Sequence, residues 1–420
     1  MKVLFVTSHI THPSSPTFMR NQTGFGYMVF DMAKHISQTN QVDMFVANTF
    51  SLSVQLEGVN IIKRTWMSYF CGLTLNSLLN GFKYVKKYKL PLKRSFRELY
   101  MYTSLSQLHS NLMEYDVVHI HGCSEITDSM IRMCKIANVP FVVTLHGLNS
   151  FEDSIKLPFS LKRYERDFLK EASSNGYPVS FISTGNKKTA ESFIGHDVAN
   201  FYVICNGCDV VEKGSTQNIR EKYHIYEDEF LFVFVGNISK NKNQIQAARA
   251  WLKMPEEYRN RSKILFVGRY FETDEVAKFI KIHNLQDKLI LCGIQPKEDI
   301  FNYYETCNAT ILTSLTEGFG LSIIEGYVYG KPNVTFKDLP AVEDLYVNDA
   351  MIAVEERTDE ALAKAMVEIM CKIIDCENIK SVSKGFSFQR MTQQYVELYK
   401  SVISRPLECA FTPNNQHINI

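Results

Sequence analysis

The 420-residue sequence contains no uninterrupted apolar stretch approaching the roughly 18 residues of a membrane-crossing helix, so no transmembrane helix is expected. Charge of one sign is also lacking. Forty-six Lys and Arg stand against 45 Asp and Glu, a net +1, which excludes a global field that would draw nucleic acid or a strongly acidic partner. Any electrostatic specialisation must be local. Met1 to Ile10 lacks the long apolar core and small-residue cleavage site of a secretory leader and reads as a first β-strand. No short repeat and no low-complexity segment breaks the chain. Nor does an intact Gly-x-Gly-x-x-Gly follow a first strand, which argues against a dinucleotide-binding enzyme. The ten cysteines are scattered through apparent strands and helices, as reduced thiols are in an intracellular protein. Only Cys205-Asn-Gly-Cys208 has Cys-x-x-Cys spacing. It has neither the second ligand pair of a zinc site nor the helix start of a redox motif, so it reads as two incidental thiols.

At 45% hydrophobic and 22% charged residues, a chain of this length can bury two cores. Short β-branched and aromatic runs at Lys2 to Thr7, Val42 to Ala47, Val117 to His121, Phe141 to Leu145, Val179 to Ile182 and Phe201 to Ile204 alternate with helical patterns. Such alternation predicts parallel βαβ units. After a polar stretch the pattern restarts at Phe230 to Val235, Lys263 to Val267, Lys288 to Cys292, Ala309 to Thr313 and Pro332 to Phe336. The expected architecture is α/β, two Rossmann-like domains facing each other across a cleft, with ligands outside the carboxyl ends of the strands. Residues 1–208 would form the N-terminal domain, 209–229 a linker, and 230–385 the C-terminal domain. A terminal helix over 386–404 would pack back on the N-terminal domain, and 405–420 would be a frayed tail.

One segment departs from the alternation. Between Gly58 and Arg97 lie nine basic residues and no Asp or Glu, interspersed with Trp66, Tyr69, Phe70, Leu73, Leu75, Leu78, Leu79 and Phe82. Residues 75, 78, 79 and 82 have one-face helical spacing. The composition suits a basic amphipathic helix on an anionic membrane and equally a helix pair packed on the first sheet with a solvated basic rim.

The stretch Thr313-Ser-Leu-Thr-Glu317-Gly-Phe-Gly320-Leu-Ser-Ile-Ile-Glu325 follows a strand directly. Strand, glycine turn and helix start point backbone N–H groups at an anion, so a phosphate-bearing ligand is implied. The glycines place Glu317 in the turn and Glu325 in the helix, two carboxylates able to accept hydroxyls from different parts of one ligand. A capped helix with a solvated Glu gives the same pattern. Gly236-Asn237-Ile-Ser-Lys-Asn-Lys242 also joins a strand to a helix and makes Lys242 a candidate pyrophosphate ligand.

Taken together, Glu317 to Glu325 in Glu-x7-Glu spacing, Gly236 to Lys242, Cys205-Asn206-Gly207-Cys208-Asp209, Asp116-Val-Val-His-Ile-His121, Thr144-Leu-His146-Gly147 and the closing Phe386-Ser-Phe with Tyr395 and Tyr399 resemble a retaining glycosyltransferase of the GT-B fold, family 4 type. The resemblance spans nearly the whole chain. It implies that Glu317 touches the donor hexose, Glu325 the ribose hydroxyls, and the amides of Phe319, Gly320, Leu321 and Ser322 the sugar and phosphates. Lys242 would neutralise the departing diphosphate in place of a metal, and no Asp-x-Asp occurs in a plausible cleft loop. Thr23-Gly24-Phe25-Gly26, before a helix expected near Tyr27, resembles the family's glycine loop beside the donor phosphates and acceptor. His146 matches its active-site histidine, while His119 and His121 are expected to be structural. The family usually carries Arg after the glycine where this chain has Asn237; Arg269 is the candidate substitute.

The resemblance implies transfer of a hexose-type sugar, with retention and without a protein nucleophile, from a nucleotide-sugar donor. The acceptor would be a glycan or lipid-linked saccharide in cell-surface polysaccharide assembly. No cofactor, metal or nucleic-acid partner is expected, and the location would be cytoplasmic, with an anionic membrane surface as a further partner. Asn237 leaves open a GT-B protein that binds nucleotide or glycan without turnover.

Overall fold

The computed structural model describes residues 1–19, 22–90, 92–152, 159–209 and 217–404, without the side chains of Lys93 and Ser160. The chain forms two compact units: Met1–Cys205 together with the helix Phe388–Ile403, and Asn206–Ser387.

The first unit is built on β1 (Lys2–Thr7), β2 (Gln41–Val46), β3 (Val54–Leu56), β4 (Val59–Ile61), β5 (Val117–His121), β6 (Phe141–Leu145), β7 (Val179–Phe181) and β8 (Phe201–Val203), in the order β3-β4-β2-β1-β5-β6-β7-β8. Among these strands, in the described residues, only the β3–β4 pair is antiparallel. The runs that become inner strands are apolar at successive positions because helices cover both faces of a parallel sheet. Val3, Leu4, Phe5 and Val6 of β1 are accordingly fully buried. The chain leaves β1 toward β2 and returns past it to β5, so the connection reverses between β1 and β5. In open α/β sheets ligands bind at the carboxyl ends beside such a reversal. The final helix Phe388–Ile403 docks through buried hydroxyls: Tyr395 Oη lies 3.1 Å from both Thr144 Oγ1 and Ser180 Oγ.

The second unit has six parallel strands, β9 (Phe230–Val235), β10 (Ser262–Val267), β11 (Leu289–Gly293), β12 (Ala309–Leu312), β13 (Asn333–Phe336) and β14 (Met351–Val354), in the order β11-β10-β9-β12-β13-β14. Here the reversal falls between β9 and β12. Tyr303, Leu231, Val233 and Leu265 sit in its core with Ile219 and Ile225. Those last two residues correct the expected linker over 209–229. Residues 210–216 of it lie outside the described residues, whereas the short helix Ile219–Lys222 turns Ile219 inward and belongs to the second unit. The tail over 405–420 likewise lies outside the described residues.

The basic segment folds as three helices, Trp66–Gly72, Leu75–Lys87 and Leu92–Thr103. The first two start at Thr65 and Thr74, each in a reciprocal cap with a serine three residues on. Among the described residues, no helix is long and apolar enough to cross a membrane.

Candidate functional site

In the second unit the site grows from the carboxyl ends of β9, β10 and β12. Gly236 leaves β9 at φ 151° and Gly268 leaves β10 at φ 150°, conformations that side chains disfavour. A Cβ on Gly268 would fall 2.4 Å from the Gly236 carbonyl oxygen, so the two strand ends approach as only glycine permits. Asn237 Oδ1 accepts from the Arg269 amide at 2.9 Å, and Ile238 N–H donates to the Arg269 carbonyl at 2.9 Å. Below, the buried Gln244 carboxamide donates to the Gly236 and Asn237 carbonyls, 3.2 Å each. The loop over 236–243 is thus clamped by its own strand ends.

It is also laced to the turn after β12. Thr313 Oγ1 donates to the Asn243 carbonyl at 2.7 Å, Leu315 N–H to the Asn241 carbonyl at 2.7 Å, and Asn241 Nδ2 to the Thr316 carbonyl at 3.1 Å. Arg357 braces the turn from outside, reaching the Ser314 carbonyl at 3.0 Å while gripping Asp338 with Nε and Nη2. The result is an ion pair between Lys242 Nζ and Glu317 Oε1, whose oxygen also accepts from Ser314 Oγ at 2.7 Å. Neither side chain is sealed: Lys242 is 28% exposed and Glu317 14%, so a ligand can compete for both.

Gly320, in the left-handed region at φ 84°, caps the helix Leu321–Val328. The first turn of such a helix leaves N–H groups without intrahelical partners, here near Leu321 and Ser322. Glu325 lies one turn in, where Oε2 accepts the phenol of buried Tyr304 at 2.6 Å. Burial and the Glu325 charge together push that phenol well above its ordinary pKa, so it stays a donor. Phe319 is buried, with its ring 6.1 Å from that of Phe386, which leaves its backbone as the part available to a ligand. The Arg269 guanidinium sits 6.0 Å over the Phe271 ring, and what ties this residue to Asn237 is its backbone.

In the first unit the glycine motif takes a different form from the loop expected before Tyr27. The helix begins at Gly24 and runs to Ser37, capped by Thr23, whose Oγ1 accepts the Gly26 N–H at 2.9 Å. Gly26 lies in its first turn, at a position that requires glycine because a Cβ there would stand 2.5 Å from Thr11 Oγ1 and 2.8 Å from Thr11 N. From Thr23 a chain of rings leads to His146. His9 Nε2 is 2.8 Å from Thr23 Oγ1, its ring lies 5.0 Å from Phe25, and Phe25 meets His146 edge-on at 4.8 Å. His146 Nε2 in turn lies 3.1 Å from His121 Nδ1. Burial lowers the His146 pKa to about 3 and that of His121 well below its ordinary value, so both rings are neutral. His119 is structural, with Thr144 Oγ1 and Tyr399 Oη each 2.6 Å from its ring nitrogens.

Sequence reasoning missed His9, Ser314, Tyr304 and Arg357. Only His9 had a usable signal, standing just past the end of β1 where ligands gather. Cys205, half-buried, and Cys208, buried, are reduced thiols rather than a disulfide. Among the described residues no group of three or more His, Cys, Asp or Glu side chains is placed to hold a metal ion.

Residues 23–212 match the family described as Glycosyltransferase Family 4, and residues 215–384 match Glycosyl transferases group 1. The chain belongs to the family 4 glycosyltransferases. Among curated proteins, this glycosyltransferase is 24% identical over 272 residues to the alpha-monoglucosyldiacylglycerol synthase of Acholeplasma laidlawii, covering 61% of this chain and 67% of that one. Sucrose-phosphate synthase from Thermosynechococcus elongatus superimposes with a TM-score of 0.72 at 15% identity, covering 96% of this chain and 99% of the other. HepE of Anabaena, solved with UDP and glucose, gives 0.67 at 18% identity over 96% and 100%. These likenesses show the GT-B fold with two Rossmann-like domains.

Proposed function

We propose that this glycosyltransferase moves a hexose-type sugar, with retention of configuration and without a metal ion, from a nucleotide-sugar donor to a glycan or lipid-linked acceptor in cell-surface polysaccharide assembly. The observation that carries the reading is the Lys242–Glu317 pair at the strand reversal between β9 and β12, beside the helix start at Gly320. Without ligand, Glu317 and Lys242 neutralise each other. A donor diphosphate draws the ammonium of Lys242, and the released Glu317 carboxylate accepts a sugar hydroxyl. The amides of Phe319, Gly320, Leu321 and Ser322 add N–H donors for phosphate at a helix N-terminus. Glu325, held by Tyr304, accepts the ribose hydroxyls.

Stabilising the leaving diphosphate is the main electrostatic task, and Lys242 performs it where other transferases place a divalent cation. Asn237 serves the same cradle indirectly, by fixing the Arg269 backbone rather than by contacting phosphate. Gly24, Gly26 and His146 of the first unit serve the transferring sugar, as family likeness suggests, and a His146 ring that is neutral across the physiological range supplies hydrogen bonds rather than charge. The diacylglycerol in the name of the Acholeplasma relative favours a lipid-linked acceptor and hence work at a membrane surface, which the proposal takes to be the cytoplasmic one. Nucleoside diphosphate release from UDP-, GDP- and ADP-sugars in the presence of EDTA tests the reading. Turnover that is lost in Lys242→Ala supports it, and strict dependence on an added divalent cation would contradict the role of Lys242.

A further inference from the structure

The three helices of the basic segment are apolar on two sides. Their inner residues are those of an ordinary core: Tyr69, Tyr84, Met101 and Tyr102 are buried. Tyr69 Oη is hydrogen-bonded to Thr103 Oγ1 at 2.8 Å, and Tyr102 Oη donates to Asp128 at 2.9 Å. Their outer residues are the unusual feature. On Trp66–Gly72, Trp66 and Phe70 are 58% and 64% exposed. On Leu75–Lys87, Leu75, Leu79 and Phe82 are 72%, 48% and 58% exposed. Their spacing of four and three residues puts them on one stripe, opposite buried Tyr84. On Leu92–Thr103, Leu92 and Phe96 are likewise exposed, one turn apart. Scattered exposed apolar residues need no explanation, but three successive helices each turning an apolar pair or stripe to solvent do.

The charges continue the same stripe. Lys83 and Lys86 follow Phe82 on the outer face of Leu75–Lys87, both exposed, and among the described residues neither has an acidic partner. No Asp or Glu occurs between Gly58 and Arg97 to offset them. A self-association patch or a core-facing face has no need of a one-signed basic border. An apolar stripe that ends in unpaired lysines matches instead the boundary between acyl chains and anionic headgroups.

We propose that the outer faces of Trp66–Gly72, Leu75–Lys87 and Leu92–Thr103 form a docking surface for an anionic lipid bilayer, with Trp66, Phe70, Leu79 and Phe82 entering the interface and Lys83 and Lys86 meeting the headgroups. The inference rests on the proposed lipid-linked acceptor, which it supplies with a surface to be drawn from. The helices lie in the interface rather than crossing it.

Vesicle flotation tests this with the full chain, using vesicles of phosphatidylglycerol with phosphatidylcholine and vesicles of phosphatidylcholine alone. The wild type is expected to float with the first and not with the second. Lys83→Gln with Lys86→Gln should lower partitioning by about tenfold or more, since each surface cation contributes about a fivefold factor. Leu79→Ser with Phe82→Ser, at positions already exposed, should lower it at least as much while circular dichroism and the thermal transition remain those of the wild type. Wild-type protein that stays unbound, or an apolar variant that binds as well as wild type, overturns the inference. So does a wild-type dimer in solution that the same Ser substitutions dissociate, because the surface is then a contact between two copies. Nucleotide-sugar hydrolysis in detergent-free solution is measured in parallel. Lost flotation with intact hydrolysis removes this docking surface alone, and lost hydrolysis with intact flotation removes the donor-site reading alone.

Discussion

Lys242 and Glu317, 75 residues apart in sequence, meet as an ion pair because the loops after β9 and β12 are stitched together by the Leu315–Asn241 backbone bond and by the Thr313 and Asn241 side chains. Under the proposed function, each holds the other's charge until a ligand carrying both phosphate and hydroxyl groups arrives. Lys242→Ala should therefore lower kcat for nucleoside diphosphate release by about 100-fold or more, the usual cost of removing one stabiliser of developing negative charge. Lys242→Arg restores the charge but not the compact point contact, so it should recover only part of the loss. Steady-state kinetics over a donor series separates the two variants.

Glu325 and Glu317 should fail differently. Glu325 is held by Tyr304 one helical turn beyond the N–H groups at the helix start, and in the proposed site Glu325→Ala is expected to raise the donor KM with little change in kcat. Tyr304→Phe, which deletes a single hydrogen bond from a buried site, should raise KM about fivefold, equivalent to about 1 kcal/mol. Glu317→Ala should reduce kcat more than it changes KM. Wild-type kinetics for both Glu variants would refute these assignments.

Gly268 tests the cradle's geometry without touching its charges. Its Cβ would collide with the Gly236 backbone, and its φ of 150° strains any side chain. Gly268→Ala should destabilise the fold by about 2 kcal/mol or more and weaken nucleotide-sugar binding at the same time. Denaturant unfolding and isothermal titration measure the two effects.

Buried Glu125 faces buried Glu98 across the contact between Leu92–Thr103 and the helix Glu125–Ala137, and burial first, then Glu98, raises the Glu125 pKa well above the usual carboxylate range. In the window between the ordinary value of 4.5 and that raised value the native state binds the extra proton and the unfolded chain does not. The contribution of Glu125 to stability is thus full below the ordinary carboxylate pKa and lost as pH rises through the folded one. Glu125→Gln, which mimics the protonated form, should unfold at a higher temperature than wild type near about pH 8 and match it near about pH 4. Melting curves across that range give the sign directly.

Much of the fold is legible in sequence. Lys2 to Thr7, Val117 to His121 and Phe141 to Leu145 become strands at the expected residues, because parallel strands buried on both faces must be continuous apolar runs. The edge escapes that logic. Val54–Leu56 and Val59–Ile61 are three residues each, and Val54 and Gln55 are exposed, so neither length nor periodicity marks them. Met351–Val354 was equally silent, its four residues carrying only two β-branched side chains. At the site, glycine spacing shows Glu317 in a turn and Glu325 in a helix, since glycine reports backbone conformation locally. Tyr304 holding Glu325, Arg357 bracing Ser314 and His121 against His146 are contacts across sequence that only tertiary structure creates. The N-terminal glycines show the limit of the local signal. They read as a loop before Tyr27, but the Thr23 cap and the close approach of Thr11 draw them into the helix.

The most direct test of the Lys242–Glu317 site is the thermal transition of wild type and Lys242→Ala titrated with UDP-, GDP- and ADP-sugars in EDTA. One nucleotide class should raise the wild-type transition, by about 2.7 kcal/mol of stabilisation at 100 times its dissociation constant, and should raise that of Lys242→Ala far less. Equal shifts in both proteins, or no shift of folded wild type with any nucleotide sugar, would contradict the placement of the donor diphosphate at Lys242.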